Sequence, residues 1–400
     1  ANASLSGGFS LARSAGMAGA HLALAEGVAA AYVNPANLGL SSHRQNSIQL
    51  VGVSYNVANN SFTMGDYNRY NGALLTLADK REILDKIPVD GLLLTADAEA
   101  SVAGVSYNKF AFTFTGYGAG EASLGKDVLE LLLYGNSFGD TISIDGTFGS
   151  AWSYASFDIS YGTPIYTLGT RQLAVGASAH IIKGIYIADV SRVEGFAATL
   201  ATGFQGDGAV IVNTAEGGSG FAVDVGAALQ LNENYTLGLS LRNLLSAVSW
   251  SKNAEERGFM FSFDTVSVSS ISNDSIFVTS DFTNAISGFS SDLPSALTVG
   301  LARTTGRLLW ALDWEQGFSR NPGASTTPQL TAGVEYAALP YLPLRAGLGL
   351  GGRHGTQLAF GGGVELSAFR LDLAVLTSGT ALTSSASKGA RFAVSTGLAF

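Results

Sequence analysis

The chain has 400 residues, 46% of them hydrophobic and only 13% charged, with 50 glycines, no cysteine and a formal net charge of −9. Charged content near half the roughly 25% usual in soluble domains implies a surface that water would solvate poorly. The absence of cysteine excludes a disulfide scaffold, a thiolate metal site and a cysteine nucleophile, and the acidic balance excludes nucleic acid as a partner.

Ala1-Asn2-Ala3 opens the chain without an initiator Met, as expected after removal of an export signal at an Ala-x-Ala type site. Residues 1–45 hold no strand pattern. Their most apolar stretch, Ala15 to Val33, is Ala- and Gly-rich, is broken by His21 and Glu26, and falls short of the roughly 20 unbroken apolar residues a transmembrane helix needs. Pro35 fixes its own φ and pushes Asn34 out of the helical region, so the Ala-rich run stops there and Asn34 can bond nearby backbone in an Asx-type turn. A helix stop with no further role explains Asn34-Pro35 equally well. The length and small, apolar composition of 1–45 nevertheless predict a hatch inside a lumen rather than a solvated arm.

From residue 46 onward, period-two alternation bounded by Gly, Asn, Pro and Asp clusters gives about fourteen strands. They fall near 46–57, 99–108, 109–119, 143–161, 171–187, 220–231 and 234–243, then near 294–304, 307–318, 327–338, 342–352, 355–367, 368–378 and 389–400. In the last of them Phe392, Val394, Thr396, Leu398 and Phe400 share one face, and Arg391, Ala393, Ser395, Gly397 and Ala399 the other. A soluble sandwich has the same period, so connection lengths must decide. Short links (Asn108-Lys109, 162–170, 232–234, 305–306, 339–341, 367–368) alternate with long ones (58–98, 120–142, 188–219, 244–293, 379–388), with Arg353-His354-Gly355 the one exception. Short turns on one side, long loops on the other and an even strand number describe a transmembrane antiparallel β-barrel over 46–400 in the outer membrane of a diderm bacterium.

Two helical inserts fall on the long-loop side, near 77–87 and within 121–135. Leu77 to Ile87 carries six charged residues and ends at Pro88, whereas Lys126 to Tyr134 is apolar. Val128, Leu129, Leu132 and Leu133 form a candidate hydrophobic capture helix, although a helix packed on the rim is the plainer reading. The pieces Phe259 to Ser269 and Ser275 to Phe282 would extend a hairpin above the membrane, or raise the count to sixteen if they spanned it.

Arg13, Gly16, Met17 and Gly19, followed by Asn34-Pro35-Ala36 just before the first strand, resemble the start of the FadL/TodX (OMPP1) family of outer-membrane transport proteins and their PorV-like relatives. Members carry an Arg-x-x-Gly-Met-Gly-like run and then Asn-Pro-Ala; Leu293-Pro294 and Leu309 to Trp314 look like the family's downstream half. The resemblance implies a fourteen-stranded barrel plugged by its N-terminal hatch. It implies uptake of hydrophobic small molecules such as long-chain fatty acids, captured outside and released sideways at a kinked strand. The PorV-like alternative is a barrel that partners a secretion or surface-assembly machinery.

Several groups on the strands are candidates for function. Gly116, Gly118 and Gly120 mark a candidate lateral-gate kink, against the plainer reading of a strand end entering a loop. Asp224, Asp313, Glu315, Glu335 and Arg345 fall on the lumen phase, as do Arg353, Glu365, Arg370, Asp372 and Arg391. Mixed signs favour structural pairing across neighbouring strands over an anion path. Gly347-x-Gly349-x-Gly351-Gly352 is not a dinucleotide loop, since Arg353-His354 follows it rather than a helix. Of the histidines, His180 alone is a plausible base, with no serine placed beside it and no metal-ligand spacing anywhere, so no catalytic residue, cofactor or metal is expected. The expected partners are outer-membrane lipid and hydrophobic cargo, with other envelope proteins under the assembly alternative.

Overall fold

Alternation of Val, Leu, Tyr and Phe with Ser, Gly, Ala and charged residues drives the chain from Ser47 onward into antiparallel strands. The computed structural model describes residues 11–43, 45–144, 146–266, 277–319, 324–379 and 384–400. The first ten residues of the expected hatch, and with them Ala1-Asn2-Ala3, lie outside the described residues, as do 267–276 of the expected outer hairpin.

In chain order the strands begin with β1 (Ser47–Asn59), β2 (Leu92–Tyr107), β3 (Phe110–Leu124), β4 (Thr141–Ser143), β5 (Phe148–Leu168) and β6 (Arg171–Leu200). Next come β7 (Gly203–Ala215), β8 (Gly218–Gln230), β9 (Tyr235–Trp250), β10 (Glu255–Val266), β11 (Phe277–Ala285) and β12 (Phe289–Ser291). The last are β13 (Ala296–Thr305), β14 (Leu308–Gly317), β15 (Gln329–Leu339), β16 (Leu342–Gly351), β17 (Gln357–Leu366), β18 (Phe369–Ser378) and β19 (Gly389–Ala399). Fourteen of them close a barrel: β1, β2, β3, β5, β6, β8, β9 and β13 through β19. Closure is made by β1 and β19, antiparallel from Ser47 opposite Ala399 to Ala58 opposite Gly389. Every expected strand is present, several of them longer than their alternation revealed.

The ring has a short-turn end, with links such as Asn108-Lys109 and Gly169-Thr170, and a loop end. Above the loop end β6 runs on to pair with β7, β7 pairs with β10, and β10 with β11, a sheet standing clear of the ring. The expected hairpin thus extends the structure without adding to the spanning strands. The loop after β1 carries α3 (Met64–Tyr70), which the sequence pattern did not reveal, and α4 (Leu77–Lys86). Each opens on a capping box, Thr63 with Asp66 and Thr76 with Asp79. In the insert expected within 121–135 the helix covers only Lys126–Tyr134 (α5), because β3 continues to Leu124 on alternating Gly, Ala and Ser.

The outward face is largely apolar: Val53, Tyr55, Phe112, Leu312, Trp314, Leu373 and Phe392 are all exposed. The opposite faces are buried, polar or small, with Ser54, Asn56, Asp313, Arg345 and Arg391 among them. This inversion of the soluble pattern follows from a lipid-facing exterior around an occupied lumen. No helix among the described residues is long and apolar enough to cross a membrane.

Residues 11–43 occupy the half of the lumen nearest the short turns. They form α1 (Ala12–Ala15), α2 (Val28–Val33) and a 3-10 turn at Pro35–Gly39, and nearly all are buried. Wall glycines make the space: a Cβ on Gly176 would lie 2.4 Å from the carbonyl carbon of Pro35, and one on Gly347 would lie 2.3 Å from that of Met17.

Candidate functional site

The residues of the N-terminal motif hold the lumen segment to several wall strands. Arg13 Nε and Nη2 donate to the two carboxylate oxygens of Glu335 on β15, both at 2.9 Å. Glu335 also accepts from Arg345 Nε on β16 at 2.6 Å, and Arg345 Nη1 donates to Asp372 on β18 at 2.6 Å. Gly16 comes against Gly361, where a Cβ would lie 3.1 Å from the opposing Cα, and Met17 is fully buried in the notch left by Gly333 and Gly347. Asp313 on β14 accepts from the backbone N–H groups of His21 (2.7 Å) and Leu22 (2.8 Å). Asn34 is extended, as the following proline requires, and its Oδ1 accepts from Ala36 N at 3.2 Å. Its Nδ2 donates to Ala227 O on β8 at 3.1 Å, while Ala36 packs against Ala174 and Ala228.

Two charge pairs of the wall reach across an intervening strand where its lumen side chain is small. Arg391 on β19 reaches over Ser54 of β1 to Asp97 on β2 at 2.8 Å, and Arg242 on β9 reaches over β13 to Glu315 on β14 at 2.9 Å. Glu365 and Arg370 pair between neighbours at 3.7 Å near the short turns. Arg353, in the short link after β16, pairs with Glu121 on β3 and so ties the loop end across the lumen.

Above the N-terminal segment lies a cavity of about 110 Å³. On its wall His180 of β6 stands between two carboxylates, Nδ1 2.8 Å from Asp158 Oδ1 on β5 and Nε2 3.1 Å from Asp224 Oδ2 on β8. Asp158 accepts a second bond from Thr113 at 2.8 Å, and Asp224 accepts from Asn243 N at 2.6 Å. Asn243 has φ +49 in the widest irregularity of the barrel, where β8 skips Asp224 while β9 skips Arg242 to Leu244. Ser160 and Ser178 bond each other at 2.7 Å, and among the described residues no serine bonds His180, so the arrangement is not a hydrolytic triad. Four carboxylates line this cavity (Asp97, Glu99, Asp158, Asp224). Asp97, Glu99 and Asp158 went unnoticed in the sequence.

The remaining candidates lie at the wall and rim. Gly116, Gly118 and Gly120 alternate outward on β3, which stays paired with β2 and β5 throughout; the nearby irregularity is one extra residue, Val102, on β2. On α5, Leu129 and Leu133 pack on the rim with Phe62, Ile83, Leu84 and Leu92, Val128 is half-buried, and Leu132 is exposed.

The closed ring of fourteen antiparallel strands with a chain segment in its lumen is a fold that solved structures share. The chain is similar to the toluene transporter TbuX of Ralstonia pickettii, at 14% identity and a TM-score of 0.53 over 97% of both chains. It is similar to the toluene transporter TodX of P. putida, at 13% identity and a TM-score of 0.54, again over 97% of both. A Pseudomonas aeruginosa FadL homologue matches at 12% identity and a TM-score of 0.52, over 96% of this chain and 97% of that one. Residues 192–371 match a family described as of unknown function, DUF5723. No curated protein matches by sequence.

Proposed function

We propose that this protein is an outer-membrane channel, not an enzyme, that lets small hydrophobic molecules into a diderm bacterium. Residues 1–45 act as its hatch. The observation that carries the reading is the shared fold over 97% of the chain with toluene transporters, lumen segment included. The short-turn end then faces the periplasm and the helical inserts face outward, where exposed Leu132 on α5 is placed to collect cargo. Cargo, with fatty acids one candidate, leaves sideways through the wall once the hatch shifts. The irregularities at Val102 beside Gly116 and at Asp224 beside Asn243, where residues drop out of the ladder, are the candidate exits.

The test uses protein reconstituted into lipid vesicles. Toluene should equilibrate across protein-containing vesicles faster than across empty ones, and deleting residues 1–40 should raise leakage of small polar solutes. An unchanged toluene rate would refute the channel; an unchanged leak would refute the hatch.

The second reading, a barrel partnering a secretion or surface-assembly machinery, is favoured by the sheet of β6, β7, β10 and β11 beyond the ring. Phe204, Phe261 and Phe263 stack there, the first and last with centroids 4.8 Å apart. Native mass spectrometry after gentle extraction separates the two: a stoichiometric protein partner supports assembly, and bound lipid-like molecules alone support transport.

A further inference from the structure

We propose that the lumen cavity binds an organic cation, an ammonium group carried on an apolar or aromatic body. This narrows the cargo of the channel reading above and rests on it.

The lining sets the sign. Four carboxylates face two guanidiniums and one imidazole, so the lining keeps negative charge in excess even with His180 protonated. Neither guanidinium is open to an anionic cargo: Arg391 is held by Asp97 at 2.8 Å and Arg242 by Glu315 at 2.9 Å. A carboxylate head would meet net repulsion, and an ammonium head net attraction in a low-dielectric enclosure.

The shape sets the body. The rings of Tyr117 and Tyr154, centroids 5.5 Å apart, form one wall of the cavity, a surface suited to a cation or a second aromatic ring. Toward the loop end Ile182 and Leu293 lead into an apolar cluster with Trp152, Val248 and Trp250. An amphiphile fits in one orientation, apolar part toward the mouth and ammonium toward Asp158 and Asp224.

An independent feature lies on the other side of α2. Ala31 and Tyr32 of α2 line this cavity, while Val28 and Ala29 line a second one of about 80 Å³ toward the short turns. His21 borders that second space, 1% exposed, and neither of its ring nitrogens has a hydrogen-bond partner among the described residues. A single two-turn partition, pinned by Val28 N to Ser47 Oγ (2.9 Å) and by Tyr32 Oη to Ser101 Oγ (2.5 Å), thus separates the acidic aromatic site from the space that His21 borders.

Calorimetry on the full-length protein in zwitterionic phosphatidylcholine nanodiscs tests this with three probes of similar size: benzyltrimethylammonium, phenylacetate and toluene. The ammonium should bind at least tenfold more tightly than phenylacetate. Asp158→Asn with Asp224→Asn should lower ammonium affinity at least tenfold and leave toluene unchanged. Tyr154→Leu, which keeps every charge, should also weaken the ammonium. Equal or tighter binding of phenylacetate by the native protein overturns the proposal even if the variants fail to assemble, as does ammonium binding that the assembled variants leave intact. Toluene transfer without ammonium preference removes this inference and keeps the channel; ammonium binding without toluene transfer does the reverse.

Discussion

Gly176 on β6 and Pro35 in the lumen segment are in backbone contact: a Cβ on the glycine would stand 2.4 Å from the proline carbonyl carbon and 2.5 Å from Ala36 N. Because the opposing atoms are backbone, a side chain there cannot be accommodated by a rotamer change. Gly176→Ala should cost about 1–3 kcal/mol of overpacking and shift the segment, raising passage of small polar solutes in a vesicle-swelling assay. Gly362→Ala is the matched control, since a Cβ there meets nothing closer than 3.6 Å; equal leakage in the two variants would remove the packing argument.

Glu335 serves two arginines while Arg13 serves one carboxylate. Arg13→Met leaves Glu335 paired with Arg345, whereas Glu335→Leu leaves Arg13 unpaired and Arg345 with Asp372 alone. Glu335→Leu should therefore be the more destabilising, by roughly 3–5 kcal/mol as for a broken buried pair, read as a lower midpoint in urea unfolding from detergent micelles. A larger loss for Arg13→Met would contradict the network.

The barrel was legible because its signal repeats: in β18, Phe369, Leu371, Leu373 and Val375 are exposed, and their phase matches that of Phe392 and Val394 next door. The lumen phase of Asp313, Arg345, Asp372 and Arg391 followed from the same alternation. Asp97 fell outside the expected strand, which began only at Glu99, because the outward positions Ala96, Ala98 and Ala100 are small, and alternation with so little amplitude hides the start of a strand. His180 could be singled out but not its partners. They depend on the register of β5, β6 and β8, and between β6 and β8 the chain makes the whole excursion of β7.

The apolar exterior predicts a depth-dependent response to charge. Leu373 sits mid-strand and exposed on β18, and Leu339 ends β15 at the short turns. Leu373→Arg should destabilise by about 2–4 kcal/mol and Leu339→Arg by about 0–1 kcal/mol, measured by unfolding from lipid vesicles. Equal costs would place the bilayer elsewhere on the barrel.

Arg353, in the link after β16, and Glu121 on β3 come from well-separated parts of the ring and meet at the loop end. Arg353→Ala should loosen that strap and speed entry of probes from the outer side, while Glu121→Ala should do the same and the double variant no more than either alone. Additive effects would show that the two act separately.

The outer insert carries a pH dependence of its own. Burial pushes the Asp66 carboxyl up, but hydrogen bonds from Lys86 and from the backbone and side chain of Thr63 outweigh it and hold the group below its ordinary value of 3.8. A carboxyl with a depressed native pKa stabilises fully above its unfolded value and loses that contribution as pH falls through the lower native one. Hydrogen exchange over residues 60–90 should accordingly stay protected at neutral pH and lose protection only in strong acid. Asp66→Asn should exchange faster at neutral pH and lose less on acidification than the native protein. Identical acid profiles for the two would show that α3 is held by its apolar contacts instead.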